Sequence, residues 1–343
     1  MKYRQVTITK HGGPEVLRIT ENEIPEPPRG QVRVRTLATG VSFADLLIRE
    51  GLHPETWLRP LPLTLGWDVL GVIDRVGVDV KALQVGQLVA ALPIVGGNAE
   101  YLCLPEREWV PVPDGLDQAE ALAVVFNYVT AYQMLHRSAQ VKTGERVLIH
   151  SAAGGIGSAL LQLGRLMELA MIGTASRSKC QLVEELGARA IDYRATDFVD
   201  AVHRLTGDGV GVVFDGIGGS NLQRSYCALR PAGLLIAYGL SATLGDGRRQ
   251  LRSILANLKD WARIFSLNLT SDQRRVSLYS IQTLKRRRPE WYRADLIVLF
   301  DLLQRGKIKP IIAARLPLDQ VRYAHELLAA GSTVGKIVLL NER

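Results

Sequence analysis

Residues 147–165 restrict the possible fold more than any other part of the sequence. The stretch opens with three apolar residues, the pattern of a short parallel strand that is buried on both faces. Glycine follows at positions 154, 155 and 157, and from Ile156 onwards apolar residues recur at roughly helical spacing. The turn therefore opens a helix whose first backbone amides are free to bind an anion. A strand, a glycine turn and a helix in this order predict a cradle for the pyrophosphate of a dinucleotide.

The segments after the glycine turn alternate regularly between strand and helix. The predicted strands cover residues 169–175, 190–193, 210–215 and 234–239. The predicted helices cover residues 178–186, 199–205 and 222–229, and an earlier helix begins at Asp117 and continues through 129–135. Repeated βα units imply right-handed crossovers and one parallel, doubly wound sheet. We therefore predict an α/β protein with a Rossmann cofactor domain over residues 123–291.

The first 122 residues have a different pattern. Residues 31–38 alternate between apolar and polar side chains over most of their length, which marks a half-buried antiparallel strand. Clusters of proline and glycine interrupt the chain at 25–30, 60–62, 96–97 and 111–115. This punctuation is typical of a compact, barrel-like β domain with short strands and long loops.

Composition narrows the class of protein. The chain of 343 residues is 47% hydrophobic and 22% charged, which is ordinary for a soluble globular enzyme. Its N-terminus lacks the apolar core of a signal peptide, and no apolar run approaches the ~20 residues of a membrane span, so we expect a cytoplasmic protein. Three distant cysteines argue against a disulfide framework and against a CxxC zinc site. The net charge of +8 favours anionic ligands, either a nucleotide or a nucleic acid.

The glycine motif departs from the usual GxGxxG pattern at its first position. It has Ala152 there, followed by Gly154 and Gly157 at the second and third positions. The preceding strand, the following helix and a second strand that ends ~20 residues later supply the context of a dinucleotide fold. The alternative interpretation is a glycine turn that binds no ligand.

The residues after the second predicted strand favour NADP(H) over NAD(H). An NAD enzyme places Asp or Glu there to accept from the ribose 2′-hydroxyl. This chain instead has Ser176, Arg177 and Lys179, which suit the charge of a 2′-phosphate. The alternative is that both cations are solvated, although cations near a helix N-terminus oppose the helix dipole unless an anion is also present.

Motifs along nearly the whole chain resemble the medium-chain dehydrogenase/reductase superfamily, and more closely its zinc-independent quinone oxidoreductase branch. These motifs lie at residues 11–17, 40–49, 127–132, 151–158, 191–194, 214–218, 306–310, 324–328 and 335–339. The resemblance implies a GroES-like catalytic domain over 1–122 that is completed by 292–343, with the cofactor domain inserted between the two segments. It also implies NADPH as cofactor and a homodimer.

The resemblance further implies which residues surround the cofactor. Beside the nicotinamide and its phosphates are Asn127 and Thr130. The pyrophosphate is held by Gly154, Gly155, Ile156 and Gly157. Around the 2′-phosphate lie Ser176, Lys179 and Tyr193, with Arg194 nearby. Bordering the nicotinamide ribose are Gly218, Tyr238, Gly239 and Ser241. Near the C-terminus, Lys336 is expected to close over the cofactor.

The zinc ligands of the alcohol dehydrogenases in this superfamily are missing from the sequence. The loop with their first cysteine reads Gly40-Val-Ser-Phe-Ala-Asp45 here, and their Gly-His-Glu is replaced by Gly66-Trp67-Asp68. The four-cysteine structural lobe is absent too, because Cys103 is the only cysteine before residue 180. A catalytic zinc needs three protein ligands, so we predict chemistry without a metal. The carboxylates of Asp45 and Asp68 remain able to contact another cation.

Chemistry without a Lewis acid suits an acceptor that is already electron-poor. We therefore predict hydride transfer from NADPH to a quinone or to an α,β-unsaturated carbonyl. The family pattern puts Ser42 and Asp45 in the substrate loop and Asn127 at the nicotinamide, but it assigns no proton donor. Two tyrosines of that loop are replaced by Leu47 and His53. The alternative function is a nucleotide-sensing or trafficking protein, resembling the vesicle-associated members of the superfamily, with little turnover.

Two further stretches allow other interpretations. The basic run 285–288, with Trp291 and Tyr292 nearby, suggests nucleic-acid binding, but such a run is more often a solvated face over packed aromatics. Nucleic acid is therefore not the expected partner. Residues 243–293 carry apolar side chains at helical spacing, which predicts a helical excursion that covers substrate or a dimer partner.

Overall fold

The computed structural model describes residues 1–56, 59–239, 266 and 273–341. The chain divides into two compact units. The first, here called the β-rich unit, contains residues 1–129 and 290–343. The second, here called the parallel-sheet unit, contains residues 130–289. Within the described part of the chain, no helix combines the length and apolar character needed to cross a membrane.

Strands and helices are numbered in chain order. The strands are β1 Lys2–Ile8, β2 Arg18–Glu23, β3 Gln31–Val41, β4 Leu63–Thr64, β5 Val69–Val76, β6 Leu88–Ala91, β7 Tyr101–Pro105, β8 Val110–Pro111, β9 Arg146–Ile149, β10 Ala170–Ala175, β11 Arg189–Asp192, β12 Val210–Asp215, β13 Leu229–Ala237, β14 Arg275–Leu278, β15 Ile312–Pro317 and β16 Lys336–Leu340. The α-helices are α1 Phe43–Arg49, α2 Gln118–Ala123, α3 Val129–Gln133, α4 Gly155–Leu166, α5 Arg177–Glu185, α6 Phe198–Thr206, α7 Asn221–Cys227, α8 Ile281–Arg287, α9 Pro289–Gln304 and α10 Val321–Ala329.

The β-rich unit is built around strand β3. One sheet has the order β15-β16-β3-β5-β6-β8, with β7 also paired to β3, and a smaller sheet has the order β2-β1-β4. Alternate residues of β3 are buried, and Val32 and Val34 pack into a core with Trp109. The predicted half-buried antiparallel strand is confirmed. Strand β16 from the end of the chain pairs with β3, so the C-terminal segment extends the sheet that the first hundred residues form.

The parallel-sheet unit contains one sheet whose order is β11-β10-β9-β12-β13-β14. Every neighbouring pair in it is parallel. Strand β9 lies at the point where the chain reverses its direction of travel across the sheet, which is where doubly wound sheets bind ligands. The predicted α/β class and doubly wound sheet are confirmed, and the observed elements lie within a few residues of the predicted ones.

The helix predicted from Asp117 is more irregular than expected. Asp117 caps α2 by accepting hydrogen bonds from Ala119 N and Glu120 N, as the sequence predicts. Beyond α2 the chain continues as two π-helical stretches on either side of α3, Val124–Tyr128 and Met134–Ser138. Such π turns often mark functional positions, because they change which side chains share a helix face.

The basic run ends helix α8, where cations interact favourably with the helix dipole. Tyr292 of α9 is buried and donates a hydrogen bond to the carbonyl of Val125 at 3.3 Å. Most of the predicted helical excursion over 243–293, including its apolar positions between 251 and 265, lies outside the described residues.

Candidate functional site

The glycine turn joins the end of β9 to the start of α4. Ser151 opens it with φ 52°, a left-handed conformation that is uncommon for residues other than glycine. The amide of Gly154 donates to the carbonyl of Ser151 at 2.8 Å. Gly154 then caps α4 without any side-chain hydrogen bond, so the dipole at the start of this 12-residue helix has no side-chain cap. This arrangement suits an anion.

Gly157 allows the helix to lie against the turn. A Cβ atom at this position would meet three backbone atoms, the closest being the carbonyl oxygen of Ser151 at 2.2 Å. A Cβ atom at Gly154 would meet only that same oxygen, at 3.2 Å. The two glycines therefore have different roles. Gly157 is required by packing, whereas Gly154 leaves one side of the turn open for a ligand to approach.

Ala152 occupies the first glycine position of the motif because the neighbouring strand makes room for it. A Cβ atom at Gly173 of β10 would lie 2.7 Å from the Cβ of Ala152. The missing glycine is therefore compensated by one on the next strand, and the turn keeps its close packing. The residues of this turn fit a dinucleotide pyrophosphate.

Cationic side chains gather beyond the ends of β10 and β11. Ser176 caps α5, but its hydroxyl makes no capping hydrogen bond. Arg177 and Arg194 are exposed, and the Arg194 guanidinium lies 5.7 Å from the ring centre of Tyr193. Burial and the nearby charge of Arg194 both lower the pKa of Lys179. Because like charges at this edge destabilise each other, an anion such as a 2′-phosphate would stabilise them.

The loop after β12 is shaped by Asp215. One oxygen of this buried carboxylate accepts the amides of Ile217 at 2.7 Å and Gly218 at 3.0 Å. Gly218 has φ 79°, which glycine adopts without strain. A Cβ atom at Gly216 would meet the ring of Tyr238 at 2.8 Å, and loss of solvent contact raises the pKa of the Tyr238 hydroxyl. A Cβ atom at Gly239 would lie 2.4 Å from the carbonyl oxygen of Gly216. The predicted contact Ser241 lies outside the described residues.

Asn127 and Thr130 lie one turn apart on the irregular helix. Asn127 is in the first π-helical stretch and is only 5% exposed. The hydroxyl of Thr130 is buried and has no hydrogen-bond partner among the described atoms, and the same holds for Tyr128. Buried hydroxyls without partners are costly, so their presence on this helix suits a polar ligand.

Lys336 and Asp68 form a buried ion pair in the β-rich unit. The ammonium lies 3.0 Å from one carboxylate oxygen and 2.8 Å from the other, and both side chains are at most 3% exposed. It also lies 5.4 Å from the ring centre of Phe126. A Cβ atom at Gly40 would meet the pair at 2.2 Å, so glycine is needed there. From the sequence, the carboxylate of Asp68 was able to contact a cation. In the structure its cationic partner is Lys336, the residue that we expected to close over the cofactor.

Ser42 and Asp45 form a helix cap. Asp45 accepts the amide of Ser42 at 2.8 Å, its hydroxyl at 2.7 Å and the amide of Gly66 at 3.1 Å. The carboxyl is fully buried, and this burial raises its pKa to about 6. Through these contacts Asp45 and Ser42 cap the start of helix α1. The predicted role of Asp45 in substrate binding stays a prediction.

Three aromatic rings form a cluster in the β-rich unit that the sequence did not predict. The ring centres of His53 and Trp67 are 5.2 Å apart, and those of Trp67 and Phe126 are 5.3 Å apart. The indole N–H of Trp67 is buried and has no partner among the described atoms. Two sequence signals pointed to these positions: Trp67 replaces a zinc-ligating histidine, and His53 replaces a tyrosine of the substrate loop.

Comparisons with known proteins identify the family. Residues 28–114 match the family described as alcohol dehydrogenase GroES-like domain, and residues 186–339 match the family described as zinc-binding dehydrogenase. The 2-haloacrylate reductase of Burkholderia is 33% identical over 340 residues, covering 97% of each chain. The protein therefore belongs to the medium-chain dehydrogenase/reductase superfamily, in its quinone oxidoreductase-like branch.

Two further relatives bear on function within the superfamily. The Escherichia coli quinone oxidoreductase, solved with NADPH, has a TM-score of 0.86 and 28% identity over 98% of this chain and 99% of that one. The synaptic vesicle membrane protein VAT-1 homolog of Danio rerio is 33% identical, covering 99% of this chain and 70% of that protein. As a member of the superfamily's quinone oxidoreductase-like branch, this protein is an oxidoreductase.

The family description "zinc-binding" can be compared with the side chains that the structure describes. Over the ranges 1–56, 59–239 and 273–341, no group of three or more His, Cys, Asp or Glu side chains is placed to hold a metal. In the described structure Asp68 is paired with Lys336, and Asp45 accepts hydrogen bonds from Ser42 and Gly66.

Proposed function

We propose that the protein is an NADPH-dependent, zinc-independent reductase of quinones or α,β-unsaturated carbonyls. The observation that carries the proposal is the set of Ser176, Arg177, Lys179 and Arg194 after the ends of β10 and β11. An NAD enzyme has a carboxylate at the end of the strand that corresponds to β10. Charge-assisted hydrogen bonds from guanidinium groups to a phosphate are among the strongest polar contacts in proteins. These cations select the 2′-phosphate.

The remaining cofactor contacts follow the order of the chain. The start of α4, with Gly154, Gly155, Ile156 and Gly157, holds the pyrophosphate through backbone amides and the helix dipole. The 216–219 loop with Gly218 borders the nicotinamide ribose, together with Tyr238 and Gly239. Asn127 and Thr130 contact the nicotinamide end. NADPH supplies hydride when it is bound, so the protein has only to align it with an acceptor.

Within the β-rich unit, an aromatic cluster suits the acceptor. Quinones and enones accept hydride without a Lewis acid, because their carbonyl groups already withdraw electrons from the reacting carbon. The aromatic cluster of His53, Trp67 and Phe126 offers planar apolar surface to a planar acceptor. The ammonium of Lys336 lies next to Phe126, and its ion pair with Asp68 holds it there.

The test is to follow NADPH oxidation by absorbance with purified protein. The acceptors are 1,4-benzoquinone, 9,10-phenanthrenequinone, 2-cyclohexenone and a 2-alkenal, each also assayed with NADH. We expect turnover of at least one quinone or enone, with NADPH preferred and no loss of rate after treatment with a chelator. Tight NADPH binding with no turnover across the panel contradicts the proposed reaction, and equal use of NADH contradicts the proposed cofactor site.

A second function is supported by the likeness to VAT-1 homologs over 98% or more of this chain. In this alternative the NADPH site is kept, turnover is incidental, and the protein acts by binding a lipid or protein partner. Bound NADPH without turnover, together with capture by lipid vesicles, favours it over the reductase.

The resemblance also leads us to propose a homodimer. Size-exclusion chromatography with light scattering tests this directly, and a mass near 37.7 kDa instead of twice that value contradicts it.

A further inference from the structure

A buried histidine follows the central strand of the parallel-sheet unit. His150 comes directly after β9 and is 2% exposed. Its Nδ1 lies 2.9 Å from the hydroxyl of Thr174 on β10, and its Nε2 lies 3.0 Å from the hydroxyl of Ser225 on α7. The hydroxyl of Ser225 lies 2.7 Å from an oxygen of Asp215 on β12. One chain of hydrogen bonds thus joins three strands and a helix.

Every contact of Asp215 is with a donor group. One oxygen accepts two backbone amides, and the other accepts the hydroxyl of Ser225 and the side-chain amide of Asn221 at 2.9 Å. Three of these donors are N–H groups, which can only donate, so Asp215 acts as an acceptor throughout and ends the chain of hydrogen bonds.

The direction of every other hydrogen bond follows from that. Ser225 has one hydroxyl hydrogen and donates it to Asp215, so it must accept from His150. Nε2 of His150 therefore carries hydrogen. Burial lowers the pKa of His150, although the charge of Asp215 opposes this, and the neutral ring leaves Nδ1 as an acceptor for the hydroxyl of Thr174. Hydrogen bonds then run in one direction from Thr174 through His150 and Ser225 to Asp215.

The ends of this chain of hydrogen bonds hold the loops around the predicted cofactor. The carbonyl of Thr174 accepts the amide of Ala152 at 3.0 Å, which fixes the start of the glycine turn. Two residues after Thr174 the chain reaches Ser176 and the cations. At the other end, Asp215 holds the amides of Ile217 and Gly218.

We propose that His150, Thr174, Ser225 and Asp215 are positioning residues, which set three cofactor-binding loops in one arrangement through a single directed line of hydrogen bonds. The proposal rests on the proposed NADPH site. In this proposal the four side chains act through the loops that they hold and not by contact with the cofactor. They fix the positions of the glycine turn, the end of β10 and the 216–219 loop relative to one another, so that these loops already have their binding arrangement before the cofactor binds.

The main test uses a matched pair at Thr174. Thr174→Val keeps the shape and removes the hydroxyl that donates to His150, whereas Thr174→Ser keeps the hydroxyl. By titration calorimetry with NADPH, we expect Thr174→Val to raise the Kd by about tenfold, the effect of one lost buried hydrogen bond, and Thr174→Ser to stay within about twofold. Thr7→Val, which removes a buried hydroxyl contact in the β-rich unit, is the control and should leave the Kd unchanged.

The second test begins with the wild-type protein. Nitrogen-15 NMR of the wild-type protein labelled at histidine should show His150 as the neutral Nε2–H form, and Thr174→Val should shift its Nδ1 signal. Hydrogen on Nδ1 instead overturns the assignment.

Asn221→Ala, at a partly exposed position, removes one donor to Asp215 and should raise the Kd for NADPH by about threefold, a change smaller than one full buried hydrogen bond.

The two proposals fail in different ways. Wild-type protein that does not bind NADPH overturns the proposed function, while the NMR signal still decides the direction of the hydrogen bonds. Wild-type protein that binds NADPH, with Thr174→Val binding equally well, overturns the positioning role alone.

Discussion

Replacing either of two glycines of the same turn by alanine should produce different defects: Gly157→Ala should lower stability, and Gly154→Ala should weaken cofactor binding. In Gly157→Ala the new methyl group meets three backbone atoms at 2.2–2.9 Å, and backbone cannot move aside as a flexible side chain can. Overpacking of this kind costs about 1–3 kcal/mol, and contacts this short place Gly157→Ala at the upper end. The higher helix propensity of alanine returns about 1 kcal/mol. We expect a net loss of about 2 kcal/mol in the free energy of unfolding.

Gly154→Ala should leave stability nearly unchanged and weaken cofactor binding. Its φ of −75° suits alanine, and the nearest atom to the new methyl group is 3.2 Å away, so the unfolding free energy should change by no more than about 0.5 kcal/mol. The methyl group would instead keep the pyrophosphate from the backbone. Loss of one hydrogen bond to a charged group, worth about 1.5–3 kcal/mol, raises the Kd for NADPH by about 10- to 150-fold.

Urea unfolding followed by circular dichroism and NADPH titration by fluorescence check both variants. If Gly157→Ala is as stable as the wild type, the close contact between α4 and the turn is not what requires glycine there. If Gly154→Ala binds NADPH as tightly as the wild type, the pyrophosphate does not approach this turn.

Three further predictions concern charged groups. Asp68→Asn leaves the ammonium of Lys336 buried without a countercharge, so the unfolding free energy in urea should fall by about 3–5 kcal/mol. Arg177→Ala should raise the Kd for NADPH by about 10- to 100-fold without changing that for NADH, because only NADPH carries the 2′-phosphate. Burial raises the pKa of Asp45 from its ordinary value near 3.8 to about 6, so the folded protein binds this proton more tightly than the unfolded chain. Ionisation of Asp45 should then lower the unfolding free energy by about 2 kcal/mol as the pH rises from 4 to 6.5, and Asp45→Asn should lack this component.

Each of these predictions has a control. Removing both partners of the buried pair, Asp68→Asn with Lys336→Met, should restore much of the lost stability, since a buried pair contributes little beyond avoiding an unpaired charge. Equal weakening of NADH and NADPH by Arg177→Ala would point to a general loss of folding. For Asp45, the difference between wild type and variant is compared across pH, and a difference that does not change with pH contradicts the raised pKa.

Local signals predicted most of the parallel-sheet unit. Strand β9, the glycine turn and helix α4 are contiguous, and each follows from residue type and spacing over a few positions. The absence of zinc ligands at Gly66-Trp67-Asp68 was equally visible, because it is a statement about residue types at matched positions.

Contacts between distant segments were not predictable in this way. The pairing of Lys336 with Asp68 joins residues 268 positions apart, and it depends on β16 lying beside β3 with glycine at position 40. His150 also gave no signal, because a histidine after a buried strand is uninformative until Thr174, Ser225 and Asp215 are brought around it.

By itself the sequence predicted a dinucleotide cradle and a preference for a phosphate at its edge, and it showed that the family's zinc ligands are replaced, since short-range geometry and residue chemistry decide all three. Only the tertiary structure decided the partners of the buried charges. In the tertiary structure Asp45 caps a helix, Lys336 pairs with Asp68, and His150 lies in a chain of hydrogen bonds that connects the loops of the proposed cofactor site. The physical reason is that burial obliges every charged and polar group to find a partner, and which partner is near depends on the packing of the whole chain.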